Sequence, residues 1–347
     1  GDKNNARMAF EAAATSSFDK QIKEVAMYNY ALLVHETAFT GFGESVTIFE
    51  DFLNDFPNSQ YADKVNDYLV EVYLTTKNYE AALKSINKIK QPSTKILEAK
   101  QGILFQLGTQ AFANVKLDDA VSLFSQAIQL GSYNTEARNE AYFWRGESYY
   151  RMGEYENAIS DYRTYLNNTH QRNTDMYALA YYNLGYSYFK LRDYSAALNR
   201  FRQYVDLESN QQAASLADAY NRIGDCQYQN RQFSLAEENY SRAAQLSPSA
   251  GDYSIYQKGF LLGLQKDYRG KISAMDRLIS EYPESQYVDD ALFEKGRTYV
   301  LLENSSSAAQ AFEKLIREFP QSSLARKAGI QLGLLYYNVN QPEKALA

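Results

Sequence analysis

Apolar residues in this chain return with the period of an amphipathic helix, and the helices come in pairs. Around Gly146 an aromatic residue stands four places before (Tyr142), three after (Tyr149) and sixteen after (Tyr162), with an alanine twelve after (Ala158). Thirty-nine residues on, the same arrangement recurs as Tyr181, Gly185, Tyr188, Ala197 and Phe201. Positions at minus 4, minus 1, zero and plus 3 share one helical face, so the pattern predicts one amphipathic helix, a short turn and a second. Glycine inside a helix costs about 1 kcal/mol against alanine, and its return at a fixed offset calls for a packing reason. A glycine centred on the apolar face lets the second helix lie close. The alanine at plus 12 makes the same allowance from the other side, and Tyr142, Tyr149 and Tyr162 are expected to fill the space around the contact.

The register runs the length of the chain. Equivalent anchors are Leu33, Val70, Gly108, Gly146, Gly185, Gly224, Gly259, Gly296 and Gly333, spaced 37, 38, 38, 39, 39, 35, 37 and 37 residues apart. The plus-12 residue is Ser45, Ala82, Ala120, Ala158, Ala197, Ala236, Lys271, Ala308 or Ala345. The plus-16 residue is Phe49, Ile86, Phe124, Tyr162, Phe201, Tyr240, Met275 or Phe312. Prolines keep the phase: Pro57, Pro248, Pro283 and Pro320 fall at plus 24 and Pro92 at plus 22, beyond the second helix, where proline ends a helix cheaply. Pro342 falls in the turn of the last pair. Extra residues gather in two polar joints, 167–174 and 208–214.

These residues resemble the tetratricopeptide repeat family, which has small residues at positions 8, 20 and 27 of each repeat and proline at 32. Gly146, Gly185, Gly224, Gly259, Gly296 and Gly333 occupy position 8; Ala158, Ala197, Ala236 and Ala308 occupy position 20; Ala127 and Ala243 occupy position 27. The departures are tyrosine or leucine for tryptophan at position 4, Lys271 for alanine, and Leu33 and Val70 for glycine. The resemblance implies an all-α fold, a right-handed solenoid of antiparallel helix pairs. One array of about nine repeats would span residues 1–347. Residues 6–14 read as a second helix without its first, and Ala347 comes two residues after Ala345, so the array is expected to be partial at both ends and part of a longer one. The Asp/Glu-Phe/Tyr-Pro-x-Ser stretches at 55–59, 281–285 and 318–322 are similar to repeats of bacterial envelope proteins, such as outer-membrane assembly lipoproteins and Tol-associated periplasmic proteins. A periplasmic or envelope location is expected on that basis, with the cytoplasm as the alternative.

Composition narrows the function classes. With 36 Lys+Arg against 42 Asp+Glu, the net charge of −6 disfavours nucleic acid. No apolar run approaches the ~20 residues of a membrane span. The 31 tyrosines suit half-buried helix faces, ring covered and hydroxyl wet. Cys226 is alone, so no internal disulfide can form and the redox compartment stays open.

Catalytic signals are sparse. His35 and His170 are far apart and in no metal-ligand spacing; the first reads as a packing or surface residue, the second as a loop residue. Cys226 lacks a nucleophile motif. No phosphate-cradling glycine loop is present. Neighbours on a helix diverge by about 100°, so the pairs Asp118–Asp119, Glu237–Glu238 and Asp289–Asp290 serve helix N-termini and solubility. No enzyme activity, cofactor or metal is expected.

What remains is a groove. In the family, first helices line the concave surface through positions 2, 5, 9 and 12. Positions 5, 9 and 12 carried over from the resemblance give Phe143, Glu147, Tyr150, then Tyr182, Tyr186, Phe189, then Asn221, Asp225, Tyr228. Phe105, Thr109 and Phe112 precede them, and Tyr256, Phe260 and Gly263 follow. Packing between neighbouring first helices is the plain reading of any one ring; the stripe as a whole suggests a binding surface. The family's two-carboxylate clamp needs lysine at position 5 and asparagine at position 9, and no repeat has both. The expectation is a non-enzymatic scaffold holding a protein or extended, neutral-to-basic peptide, with a structural element of a larger envelope complex, or a glycan-binding module, as alternatives.

Overall fold

The computed structural model describes residues 3–16, 19–37, 43–210 and 214–338. Among them every regular element is helical. Contacts divide the chain into two units, Gly1–His170 and Gln171–Ala347. The first holds α1 (Lys3–Ala14), α2 (Lys20–Thr37), α3 (Glu44–Asp55), α4 (Ala62–Thr75), α5 (Tyr79–Ile86), α6 (Thr94–Ala113), α7 (Leu117–Gln129), α8 (Thr135–Met152) and α9 (Tyr155–Asn168). The second holds α10 (Asp175–Lys190), α11 (Tyr194–Leu207), α12 (Ala214–Gln229), α13 (Phe233–Leu246), α14 (Asp252–Leu264), α15 (Tyr268–Glu281), α16 (Val288–Leu301), α17 (Ser305–Glu318) and α18 (Ser323–Asn338). All nine anchors fall in even-numbered helices, and the described plus-12 residues in odd-numbered ones. Each unit is a stack of antiparallel pairs, an all-α solenoid architecture. Pro342 and Ala345 lie outside the described residues.

The plus-12 alanines are fully buried, and plus-16 side chains are at most 2% exposed. The glycine itself, however, faces the plus-16 side chain more closely than the plus-12 alanine. A Cβ on Gly108, Gly185, Gly224 or Gly296 would come within 2.6, 2.9, 2.7 or 2.5 Å of the ring of Phe124, Phe201, Tyr240 or Phe312. At these four positions the glycine therefore makes room for a ring against the first helix. Tyr142 and Tyr149 do not fill that contact either. They are half-buried beside Arg145, 5.5 and 5.9 Å from its guanidinium, which forks onto Asp161 at 2.7 and 2.8 Å.

Where the turn within a pair is described at the plus-7 position, one residue makes it. Seven places after the anchor, Lys77, Val115, Arg192, Arg231, Lys266 and Glu303 have φ between 54° and 64°, and Gly153 has 83°. A left-handed residue there ends the first helix. The next N–H then bonds back to the plus-3 carbonyl, as in Asp193 to Tyr188 and Asn304 to Tyr299. That next residue caps the second helix through its side chain where it is Asn or Asp, as Asn78, Asp193, Asp267 and Asn304 do.

The Pro-x-Ser joints have an equally local cause. Ser59, Ser285 and Ser322 each accept the N–H two residues on at 3.1 Å. Each hydroxyl donates to an acid near the start of the preceding first helix: Glu24, Asp252 or Asp289. A second latch joins the residue before the anchor to the plus-17 residue of the repeat before it. Arg145 reaches Ser125 at 2.9 Å, Lys258 reaches Ser241 at 3.2 Å, and Lys295 reaches Asp276.

Candidate functional site: the first-helix groove

The nine expected groove residues divide between the units. In the first unit, Phe143 is 2% exposed and packs edge-on to Tyr162 and Tyr165, 5.8 and 5.4 Å away. Its ring holds α8 to α9 and presents little surface. Glu147 is half-buried, accepting the Tyr162 hydroxyl at 2.8 Å and Arg151 at 3.1 Å. Arg151 in turn lies 4.2 Å over Phe112. Tyr150 stands edge-on to Tyr155.

In the second unit the residues are drawn together by partners that positions 5, 9 and 12 alone do not include. Tyr182 and Tyr186 on α10 both donate hydroxyls to Asp218 on α12, the first at 2.8 Å. One turn along α12, Arg222 lies 3.5 Å from Asp218 and 2.6 Å from Asp225. Its guanidinium sits between the rings of Phe189 and Tyr253, at 5.8 and 5.0 Å. Asp225 also accepts the Tyr240 and Tyr253 hydroxyls at 2.7 Å each. Burial pushes the Asp225 carboxyl above its ordinary value, opposed by the Arg222 charge and the two hydroxyls. Asn221 is buried and accepts the Ser254 hydroxyl at 2.9 Å. Tyr228 stands apart from this line, packed on Phe233 and Phe260.

The polar groups of Asn221 and Asp225 are thus committed to holding α12 against α13 and α14. Of the residues expected in a groove, Tyr182, Tyr186, Phe189 and Tyr228 in the second unit have half-buried rings that keep surface. Asp218, Arg222 and Tyr253 are the residues that sequence reasoning passed over. Asp218 and Tyr253 stand at position 2 of their repeats, a groove position in the resemblance, so the signal was present there. Arg222 stands at position 6 and had none.

Gly263 breaks the ring stripe for a visible reason. Lys271, at the alanine position, is 8% exposed and runs its stem past Gly263, where a Cβ would meet Lys271 Cδ at 2.8 Å. Its ammonium pairs with Glu294.

Elsewhere the chemistry is quiet. His35 packs against Tyr68 and Phe49, and His170 is exposed in its joint. Cys226 is buried, which pushes its thiol up to about 12 and keeps it protonated at neutral pH. Asp118–Asp119 and Asp289–Asp290 open α7 and α16. Glu237–Glu238 lies inside α13 instead, with Glu237 3.4 Å from Lys258. Among the described residues no His/Cys/Asp/Glu group is placed to hold a metal ion, and no helix is long and apolar enough to cross a membrane.

Tetratricopeptide repeat models match residues 105–173 and 182–251, and residues 253–285 and 290–322. No curated protein matches the chain. Among solved structures, the C-terminal part of a TPR repeat-containing protein from Cytophaga hutchinsonii is 16% identical with a TM-score of 0.52, covering 75% of this chain and 97% of that one. PilF of Pseudomonas aeruginosa is 15% identical, TM-score 0.47, covering 67% and 97%. YrrB, described as a TPR protein with an unusual peptide-binding site, is 23% identical, TM-score 0.47, covering 59% and 96%.

Proposed function

Because the chain belongs to the tetratricopeptide repeat family, we propose that it is a protein-interaction scaffold whose first-helix groove in the second unit holds an extended, neutral-to-basic peptide. The observation that carries this reading is the set of half-buried rings, Tyr182, Tyr186, Phe189 and Tyr228, around the Asp218–Arg222–Asp225 line. Such rings give contact area at low conformational-entropy cost. The bonded line beneath them fixes the surface before a partner arrives, which leaves less ordering entropy to lose on binding. Two carboxylates against one guanidinium disfavour an acidic segment. Glu147 and Tyr150, with the buried Phe143, are the corresponding set in the first unit and a separate contact surface. Tetratricopeptide repeat proteins are in general scaffolds, and no catalytic role is assigned to this one.

A peptide selected from a random phage library on the whole chain supplies the probe. Tyr186→Ala and Tyr228→Ala should each weaken it by about 2 kcal/mol, roughly thirtyfold, with helical content unchanged. Equal affinity for the parent and both variants would reject the groove. An envelope location rests on the Pro-x-Ser similarity; recovery of the protein in the cytoplasmic fraction of its host would overturn it.

A further inference from the structure

Two first helices of the second unit carry an acid at the same register, six residues before the repeat glycine: Asp218 before Gly224 and Asp290 before Gly296. Around Asp218 the chain supplies what a carboxylate needs. Two tyrosine hydroxyls donate to it, and Arg222, one turn on, lies 3.5 Å away with its guanidinium over Tyr253.

At Asp290 the place of Tyr182 is held by Tyr256 and that of Tyr186 by Phe260, and the cation is missing. Tyr256 and Tyr287 stack with centroids 5.3 Å apart and planes at 16°, and Tyr253 continues the wall 5.8 Å from Tyr287. The residue in the place of Arg222 is Glu294. The nearby cations are already used: Lys271 and Arg297 pair with Glu294, and Arg222, over Tyr253, pairs with Asp218 and Asp225. Asp289 serves the helix start, accepting the Asp290 N–H at 2.9 Å and the Ser322 hydroxyl at 2.6 Å. The Asp290 side chain, half-buried, has no hydrogen bond or ion pair among the described residues. Burial, with the charges of Asp289 and Glu294, raises its carboxyl above the ordinary range. A helix N-terminus accounts for one acid; it does not account for a second, unbonded carboxylate whose charge reaches the hydroxyl of Tyr256, one ring of the stacked pair.

We propose that the Tyr256–Tyr287 wall and Asp290 form a subsite for a cationic side chain, lysine or arginine, of the bound segment. The cation lies on a tyrosine face and pairs with Asp290, as Arg222 lies on Tyr253 and pairs with Asp218 and Asp225 inside the protein. The proposal rests on the groove reading above, because positions 2 and 5 of these repeats belong to that surface.

Tetra-arginine and its uncharged isostere tetra-citrulline are the probes, titrated calorimetrically onto the whole chain at low salt. The arginine peptide should bind about tenfold or more tightly than the citrulline peptide. Asp290→Asn should remove most of that preference, Tyr256→Phe should retain it, and Asp119→Asn, an exposed acid in the other unit, should leave it intact. Equal binding of the two peptides would overturn the subsite, as would a full preference surviving in Asp290→Asn. So would an equal loss in Asp119→Asn, which would mark general attraction to an acidic protein. Thermal melts of Asp290→Asn should match the parent, which separates lost recognition from lost fold. If the subsite fails while Tyr228→Ala still weakens the phage-selected peptide, the groove stands without it. If Tyr228→Ala has no effect while Asp290→Asn removes the arginine preference, the groove reading alone falls.

Discussion

At Gly185 a methyl group would sit 2.9 Å from the ring of Phe201, which is fully buried and has nowhere to move. Alanine gains about 1 kcal/mol of helix propensity, but overpacking a rigid core contact costs about 1–3 kcal/mol. Gly185→Ala should therefore be destabilising. At Gly146 the nearest atoms, on Asp161 and Tyr162, are 3.3 Å away, so the two effects should nearly cancel. Denaturation midpoints of the two variants check the ranking; an equal loss in both would mean the ring contact does not explain the glycine. Val115 is the opposite case. It is 70% exposed and branched at Cβ, yet held at φ 59°, a conformation costly for such a residue. Val115→Gly should raise stability by about 1 kcal/mol, and a lower midpoint would show that the turn tolerates valine without strain.

At the scale of the helix pair, the anchors, the plus-12 and plus-16 positions and the joint prolines were all legible, because each position mostly repeats one kind of residue: glycine, alanine, a large apolar or aromatic side chain, or proline. The turn residue at plus 7 was not. Lysine, valine, glycine, arginine and glutamate all stand there, so the requirement is for a backbone angle and leaves no side-chain signature. The latch before the anchor was hidden for a similar reason: Arg with Ser, Lys with Ser and Lys with Asp share geometry and no sequence. In the groove, the choice of positions was readable, but the burial of Phe143 and the internal commitments of Asn221 and Asp225 depend on neighbours more than twelve residues away. The Pro-x-Ser motif offers a test at this scale. Ser322→Ala removes the hydroxyl that caps Leu324 N–H and reaches Asp289, and should cost about 0.5–2 kcal/mol. Fraying seen by hydrogen exchange should begin at the start of α18; exchange unchanged there would deny the joint that role.

For the molecule as a whole, the buried tyrosines set an alkaline limit. Burial pushes the Tyr204 hydroxyl from 10.0 up to about 12 and the Cys226 thiol from 9.0 up to about 12, and raises Tyr182, Tyr186, Tyr240 and Tyr253 as well. Folded values above unfolded ones mean that this stability is fully present below the unfolded values. It is lost as pH rises, between pH 9 and 12 for the thiol and between 10 and 12 for Tyr204. Phenolate absorbance and helical circular dichroism should then change together in that range. Complete phenolate formation with the helices intact would contradict the buried placement of these hydroxyls.

A partner lying on the first helices of the second unit can be located by cross-linking the whole chain to the phage-selected peptide carrying a benzophenone and mapping the adducts by mass spectrometry. Binding in the groove predicts adducts on α10, α12 and α14, centred on Tyr186, Phe189 and Tyr228. Adducts confined to the second helices α11, α13 and α15 would contradict it.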